Sequence, residues 1–414
     1  MEIKGKQMTV LLLSMFIFTL GFGITVPVTP YFVKDLGGSV IDVGLLMAAF
    51  SAGELLFAPF WGKVSDRFGR KPVIMLGLIG FGITFAASGL STQLWMLYAF
   101  QTLAGIMMAG VFPAAMAYIA DITEPDARGR QMGLLGAANG MGVIFGPALA
   151  SLFALWGMRV PYFAAAVLAI FTSVIALLWI KESRLTGSEI NPEKARVKGA
   201  WMHPQLLIFF LMMLFVMVAM ASLESTFGFY ALDRFGLSGI PAAMPLLWTS
   251  VMLTGTNLMG AAFTFFGLTI AVTQVALIGK VLDRLGEERT IVIGLLAMAA
   301  GTIMLIVSGE LVSVIISACV MALGMGLMMP SINSAVSRRT DKDNQGVMMG
   351  VLGSFNSSGR VIGPIAGGIA YSVSMLLPYI GSAVLAVASA VFLTVWNRVN
   401  GSTSELMTEK PTNQ

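Results

Sequence analysis

The sequence is poor in the residues that build redox, metal and catalytic sites. It has one cysteine, Cys319, and one histidine, His203, which excludes an internal disulfide and a histidine-rich metal site. Charged residues make up only 11% of the chain, against about 25% in an average soluble protein. No Gly-x4-Gly-Lys-Ser/Thr loop for nucleotide phosphates is present. We therefore expect neither an enzyme nor a cofactor.

Apolar sequence is what the chain has in abundance. Apolar residues make up 57% of the 414 positions, and they form continuous runs instead of the alternating pattern of a transmembrane β-barrel. One membrane-spanning helix needs about 20 such residues, so the chain predicts an all-α membrane protein with twelve transmembrane helices. The predicted spans are 8–31, 41–61, 72–90, 95–121, 130–156, 161–180, 205–232, 257–279, 290–308, 311–337, 346–373 and 377–396.

The basic residues are distributed very unevenly between the two sides of these spans. Of the 25 Lys and Arg residues, three fall in one set of loops (Lys34, Arg159 and Arg234), and Arg360 falls inside a span. The other 21 fall on the opposite side, which is therefore expected to be cytoplasmic and to hold both termini. The net charge of +4 is explained by this topology, and no nucleic-acid partner is expected. The first apolar run is expected to stay as a span, because no convincing signal cleavage site follows it.

A polar stretch from Lys181 to Trp201 divides the spans six and six. We expect a first bundle at 1–181, a cytoplasmic linker at 182–204, a second bundle at 205–397 and a polar, disordered tail at 398–414.

The two halves repeat at a constant offset. The segment GKVSDRFGRK at 62–71 recurs as GKVLDRLGEE at 279–288, a shift of 217 residues. The same shift relates Pro113 to Pro330, Asn139 to Asn356, Gly146 to Gly363 and Pro147 to Pro364. Six spans separate the copies, so the repeat is parallel, with a pseudo-twofold axis along the membrane normal.

The second half carries about 18 extra residues, because the segment Tyr31–Gly37 matches Tyr230–Gly236 at an offset of 199. The insertion lies near residues 237–253, on the outer side, and is apolar. It predicts a long outer loop with a short interfacial or re-entrant helix.

Twelve spans, the parallel repeat and the motif at 62–71 together resemble the major facilitator superfamily over essentially the whole chain. The resemblance implies that this loop latches the two bundles together in an outward-facing state. The candidate latch residues are Gly62, Asp66, Arg67, Gly69, Arg70 and Lys71, with Asp121 as the local partner of a basic residue. The alternative is that the basic residues serve only as topology signals.

Small residues follow one face of the fifth predicted span. Gly142, Gly146 and Pro147 permit a close helix contact and a bend, and packing alone explains them. The pattern also resembles the span-five motif of the twelve-span drug:proton antiporters of the superfamily, which implies efflux. Ala150 and Ser151 stand where that motif usually has two glycines.

Three ionisable residues lie inside predicted spans: Glu54, Glu224 and Arg360. Such residues usually face an aqueous pathway, although a structural hydrogen bond would also account for the two acids. Burial disfavours the charged form of a carboxyl group, so either acid could carry a proton, and Glu224 is our first choice. Gln101 stands where the resemblance implies an arginine in span four. Arg360 could neutralise a carboxylate, replace that arginine from the other bundle, or extend to the inner face.

Phe227 and Tyr230 are candidate lining aromatics, while Asn139 and Asn356 could face the pore or join helices. The resemblance implies proton-coupled efflux of lipophilic, often cationic, small molecules by alternating access. We expect protons and membrane lipid as the other partners, a monomer, and the inner membrane of a prokaryotic cell. A sugar or metabolite exporter and a lipid flippase on the same fold are the alternatives, and a membrane sensor would usually need a larger soluble domain.

Overall fold

The computed structural model describes residues 2–183, 204–237, 241–246, 249–340 and 345–408. The first half consists of α1 (Glu2–Thr25), α2 (Thr29–Asp35), α3 (Val40–Phe68), α4 (Arg70–Gly89), α5 (Leu94–Met108), α6 (Val111–Ile122), α7 (Pro125–Phe153) and α8 (Val160–Trp179). The second half consists of α9 (Pro204–Phe235), β1 (Ala242–Leu246), β2 (Thr249–Leu253), α10 (Gly255–Val272), α11 (Ile278–Val307), α12 (Leu311–Arg338), α13 (Gln345–Val373) and α14 (Leu377–Thr408). A 3₁₀ turn, Ala154–Trp156, follows α7, and a π-helical turn, Thr273–Leu277, joins α10 to α11.

The helices account for all twelve predicted spans. Ten helical stretches of the described residues are long and apolar enough to cross a membrane, and one of them, Gly255–Val307, has 53 residues. A kink at Gly286 divides that stretch into two spans. The twelfth is α13, which is not among the ten because Asn356, Arg360 and several glycines lower its hydropathy. Its 29 residues extend about 43 Å at 1.5 Å per residue, enough to cross a hydrocarbon core of about 30 Å.

Prolines break two of the first-bundle spans. The first span ends as α1 at Thr25 and resumes as α2 with Pro30 in its first turn, a position that a proline tolerates because its missing N–H is not needed there. The fourth span is interrupted between α5 and α6, four residues before Pro113. A proline cannot donate to the carbonyl four residues back and its ring clashes with it, which accounts for the break at Ala109 and Gly110.

Glycines related by the repeat turn the chain at the inner end of both bundles. Gly69 separates α3 from α4 with φ 106, and Gly286 divides α11 with φ 74. Both values lie in the left-handed region, which only glycine adopts without strain. The two residues differ by the repeat offset, so the sequence repeat is also a repeat of backbone conformation.

Helix contacts within the two bundles correspond pair by pair. In the first bundle α1 packs against α7 and α8, and α4 packs against α5 and α8. In the second bundle α9 packs against α13 and α14, and α11 packs against α12 and α14. The correspondence confirms the predicted architecture of two six-helix bundles related by a parallel pseudo-twofold repeat.

Each bundle has its own apolar core. In the first bundle Phe81 stacks on Phe85 with ring centroids 4.0 Å apart, next to the fully buried Tyr162. The second bundle has an inner cluster that is rich in methionine and an outer cluster centred on Tyr230 and Tyr379, which also includes Tyr31 and Val40 of the first bundle.

The described residues of the extra outer segment, 241–246 and 249–253, form strands and no helix, so the short helix predicted there was wrong. β1 and β2 form an antiparallel hairpin that pairs Ala242 with Leu253 and Leu246 with Thr249. Pro245 disfavours a helix because it lacks an N–H group. Met244 is buried in the outer apolar cluster of the second bundle, and Ala242 and Leu253 pack against that cluster, so these three side chains anchor the hairpin. The fold is therefore helical with one small addition.

The C-terminal helix is longer than predicted. α14 continues from the membrane-spanning part to Thr408, where a disordered tail was expected after residue 397. Most of the linker predicted at 182–204 lies outside the described residues, and the exact bundle boundaries stay a prediction.

Candidate functional site

The two bundles touch along the outer halves of their helices. We call the end of the fold that holds the start of α1 the inner end, following the predicted orientation. On one side of the molecule, the Pro364 carbonyl of α13 occupies the space that a side chain on Gly44 of α3 would need. On the other side, a Cβ on Gly260 of α10 would lie 2.7 Å from the Pro147 carbonyl of α7. Pro147 and Pro364 are related by the repeat, so the same type of glycine–proline contact joins the bundles on both sides of the molecule.

Polar contacts reinforce this outer closure. The Tyr31 hydroxyl in α2 donates to the Gly228 carbonyl of α9 at 3.2 Å. Ser151 of α7 donates to the Thr256 carbonyl of α10 at 3.2 Å. Ser151 is one of the two residues that replace glycine in the span-five pattern, and the structure gives it a contact between the bundles.

The same helix faces are apart at the inner end. Gly62 lies 18 residues after Gly44, which is five full turns of α3 at 3.6 residues per turn, so both share one face. Gly136 and Gly353 lie 11 residues before Pro147 and Pro364, about three turns inward. A Cβ at any of these three glycines would meet nothing within 4 Å. As far as the described residues show, the fold is therefore closed at the outer end and open at the inner end.

An open cavity lies between the bundles, inward of the outer contacts. Its walls come from α1, α2, α3, α5, α9, α13 and the turn after α1, and most of them are apolar. The apolar lining residues are Phe22, Val26, Pro30, Val43, Leu46, Met47, Phe50, Ala221 and Pro364. The polar lining residues are Thr25, Thr29, Ser51, Gln101, Glu224 and Arg360.

Three of the residues singled out in the sequence meet in this cavity. Glu224 enters from α9, Gln101 from α5 and Arg360 from α13. Glu224 and Arg360 are half-buried, and Gln101 is buried. No described residue hydrogen-bonds to the Glu224 carboxylate or forms an ion pair with it. Its charge is therefore available to a ligand.

Gln101 belongs to a polar network that the sequence did not reveal. Its side chain interacts with the Tyr162 hydroxyl of α8. That hydroxyl lies 2.8 Å from the Thr29 hydroxyl of α2, which lines the cavity. The sequence analysis did not single out Tyr162 or Thr29, because neither side chain is charged at neutral pH.

Glu54 lies beside the cavity, one helical turn inward of Ser51 on α3. The positive charge of Arg360 acts on its carboxyl group electrostatically, although the two form no ion pair within 4 Å. Arg360 itself neither hydrogen-bonds to described backbone carbonyls nor extends to the inner face. Two of the three roles considered for Arg360 therefore remain, and both make it a cation in the cavity. It could neutralise a carboxylate, or it could replace the arginine of span four.

Phe227 and Tyr230 do not line the cavity, so their prediction as lining aromatics was wrong. Both are buried in the outer apolar cluster of the second bundle. Tyr230 donates to the Leu305 carbonyl at 3.1 Å, and its ring lies 4.6 Å from that of Tyr379. They follow Glu224 toward the outer end, where the bundles are closed and no space remains.

The two asparagines also join helices and do not line the cavity. The Thr19 hydroxyl donates to Asn139 Oδ1 at 2.7 Å between α1 and α7. Asn356 makes a weaker contact of 3.7 Å with the Met213 sulfur of α9. Of the two readings of these asparagines, the structure favours interhelical contact.

The small residues of α7 and α13 bring helix backbones together within each bundle. A Cβ on Gly142 would lie 2.7 Å from the Phe16 carbonyl, and one on Gly146 would lie 2.6 Å from the Gly23 Cα. The corresponding Gly359 and Gly363 of α13 approach α9 in the same way. These glycines are required by packing, whatever further role the motif has.

The candidate latch residues form a cluster inside the first bundle. The Arg70 guanidinium pairs with Asp66 at 2.6 Å and with Asp121 at 3.3 Å. Glu182, which the sequence did not single out, accepts hydrogen bonds from the Arg70 and Lys71 backbone N–H groups at 2.8 and 3.2 Å. A carboxylate is favourable at this helix N-terminus. Arg67 instead lies over the Phe68 ring at 5.3 Å.

Comparison with known proteins identifies the fold. The chain matches the model described as Major Facilitator Superfamily over residues 11–258 and 243–412. It is 30% identical over 398 residues to Multidrug resistance protein 1 of Bacillus subtilis (strain 168), covering 94% of this chain and 96% of the relative. It is 29% identical over 382 residues to Tetracycline resistance protein, class C, of Escherichia coli, covering 90% and 91%.

The fold is also similar to a solved structure. A bacterial homolog of the human lysosomal transporter Spinster, in an inward-facing and unoccupied conformation, gives a TM-score of 0.72 at 15% identity, covering 95% of each chain. At this identity the likeness concerns the fold alone.

Proposed function

This chain belongs to the Major Facilitator Superfamily, and we propose that it exports lipophilic, often cationic, small molecules in exchange for protons. It is a multi-pass membrane transporter and not an enzyme. One observation carries the proposal: an apolar cavity between the two bundles contains the Glu224 carboxylate without a partner among the described residues. The relatives named for multidrug and tetracycline resistance support efflux as the direction of transport.

The difference between the two ends of the fold supports alternating access as part of this proposal. The outer helix halves are in contact and the inner halves are apart, so the cavity is open to the side that we expect to be cytoplasmic. Rocking the bundles around the cavity would separate the outer contacts and close the inner end. The same cavity would then face the opposite side of the membrane.

Glu224 couples the two fluxes in this proposal. One carboxylate can hold a proton or neutralise a ligand cation, but not both at once. A cationic substrate that enters from the inner side displaces the proton, and a proton that enters from the outer side displaces the substrate. Intramembrane carboxylates are typical of such proton relays. Glu54 is the second candidate for the proton site.

The nature of the cavity wall argues against a sugar or a similar polar metabolite. Nine of the fifteen lining residues are apolar, whereas a polyhydroxylated ligand needs hydrogen-bond partners to replace the water that it loses. An aromatic pair, Phe22 and Phe50, with ring centroids 5.3 Å apart, suits a flat lipophilic ligand.

The first prediction concerns Glu224 in liposomes that contain inside-out protein. An inside-acidic pH gradient should drive uptake of ethidium by the wild type, and Glu224→Gln should lower that uptake at least tenfold. Asp35→Asn removes an exposed carboxylate at the end of α2 that does not line the cavity, and it should leave uptake within twofold of the wild type. Ethidium fluorescence measures the flux.

Two results would change the assignment. Uptake that Glu224→Gln leaves intact would transfer the coupling role to Glu54. A wild type that moves no lipophilic cation under the gradient would overturn the proposed function and favour a metabolite exporter.

A further inference from the structure

We propose that the Arg360 guanidinium is a second recognition group in the cavity, so that the preferred substrates carry an acidic group as well as the basic group bound by Glu224. This inference rests on the proposed function and specifies its substrate class as lipophilic and amphoteric.

The first step is the position of Arg360. It lies on α13 one helical turn inward of Pro364, whose carbonyl seals the outer contact with α3. Its side chain lines the same cavity as Glu224 and Gln101 and is half-buried there. Among the described residues, no carboxylate oxygen lies within 4 Å of the Arg360 nitrogens, and no carboxylate accepts a hydrogen bond from the Arg360 guanidinium.

The second step is the chemistry of a guanidinium in this place. Arginine stays protonated in proteins, so it cannot lose its charge as a buried lysine can. An unpaired charge is costly in a membrane interior, which favours an anion at this point of the cavity. A carboxylate matches the planar fork with two parallel N–H···O bonds.

The third step is the neighbouring charge on the other bundle. Glu54 of α3 interacts electrostatically with Arg360 but does not reach it as an ion pair. Arg360 and Glu224 both belong to the second bundle, whereas Glu54 belongs to the first. A ligand held by Arg360 and Glu224 would therefore move with the second bundle. The acidic group of that ligand would compete with the Glu54 carboxylate for the Arg360 guanidinium.

Two dyes with one ring system separate the contributions of the charges. A rhodamine with a free carboxylate is amphoteric, and its methyl ester is a simple cation. In the liposome assay we expect Arg360→Gln to lower uptake of the carboxylate dye at least tenfold and to leave uptake of the ester within twofold. Arg289→Gln removes an exposed arginine at the inner end of α11 and should change neither.

The outcomes distinguish this inference from the proposed function. A wild type that moves the ester but not the carboxylate dye, or an Arg360→Gln variant that loses both equally, would overturn the role of Arg360 and leave efflux intact. A wild type that moves neither dye would overturn the proposed function. Arg360→Lys keeps the positive charge but lacks the planar guanidinium with its two parallel N–H donors, so it should retain part of the carboxylate-dye uptake.

A binding measurement on purified protein decides the question without transport. Fluorescence polarisation of the carboxylate dye should show weaker binding to Arg360→Gln by about tenfold and tighter binding to Glu54→Gln by several-fold, because that variant removes the competing carboxylate. Unchanged affinity in both variants would contradict the proposal.

Discussion

The inner ends of the two bundles make the same contact with opposite charges. In the first bundle, Arg70 pairs with Asp121 at 3.3 Å. The residues 217 positions later are Glu287 and Arg338, which pair at 2.7 Å. Each member of the pair has therefore changed sign while the pair itself persists.

A second pair extends the reversal. Glu288, which corresponds to Lys71, pairs with Arg339 at 2.6 Å, whereas Lys71 donates to the Leu177 carbonyl at 2.7 Å. By residue identity, the second copy of the loop motif looks degraded because two acids replace two bases. The structure shows that the repeat preserves an ion pair between neighbouring helix ends, and either polarity satisfies that contact.

The two pairs differ in burial and so in expected energy. The Arg70 side chain is 17% exposed and contacts two carboxylates, whereas the Arg338 side chain is 73% exposed. Solvent screening leaves an exposed pair worth roughly 0–1 kcal/mol. The first bundle therefore depends on its inner cluster more than the second does.

The largest expected effect concerns the glycine contacts, where the two halves match. Gly146→Leu and Gly363→Leu would each force a side chain against backbone 2.5 to 2.6 Å away. Overpacking of this kind costs about 3 kcal/mol or more, because backbone cannot yield as a side chain can. Thermal unfolding of the purified proteins should show similarly large losses for both.

Matched controls exist at the same offset. Gly136→Ala and Gly353→Ala add a methyl group where nothing lies within 4 Å and should not lower stability. If Gly146→Leu unfolds the protein while Gly363→Leu is tolerated, the glycine contacts within the two bundles are not equivalent.

The next effect in size tests the charge reversal itself. Arg70→Glu places a third carboxylate beside Asp66 and Asp121 and should destabilise the protein by about 2 kcal/mol. Arg70→Glu combined with Asp121→Arg reproduces the polarity of the second bundle and should recover about half of that loss. Thermal unfolding again measures the effect. If the double variant loses as much free energy of unfolding as the two single variants added together, the two ion pairs are not equivalent.

The smallest effect is expected at the exposed pair. Arg338→Gln should change the free energy of unfolding by less than about 0.5 kcal/mol, since water already screens the Arg338 side chain. A loss as large as that of Arg70→Glu would mean that burial does not distinguish the two clusters.

Much of the fold could be predicted from the sequence, since the signals are local or periodic. The hydropathy of each run predicted a span, and the constant offset predicted that α7 in the first bundle corresponds to α13 in the second. The hairpin was missed because an apolar segment with prolines does not by itself distinguish a strand pair from a short helix. Phe227 and Tyr230 were misplaced because aromatic residues near a carboxylate can line a cavity or fill a core.

The sequence by itself determined the number of spans, the repeat and the identity of the intramembrane charges, because each depends on residue type and spacing along the chain. Only the tertiary structure decided that Gln101, Glu224 and Arg360 share one cavity while Glu54 lies beside it. Their meeting depends on the rotation and tilt of four helices, which packing against neighbours sets. The closed outer end and the open inner end are likewise properties of the contacts between bundles, which no single span encodes.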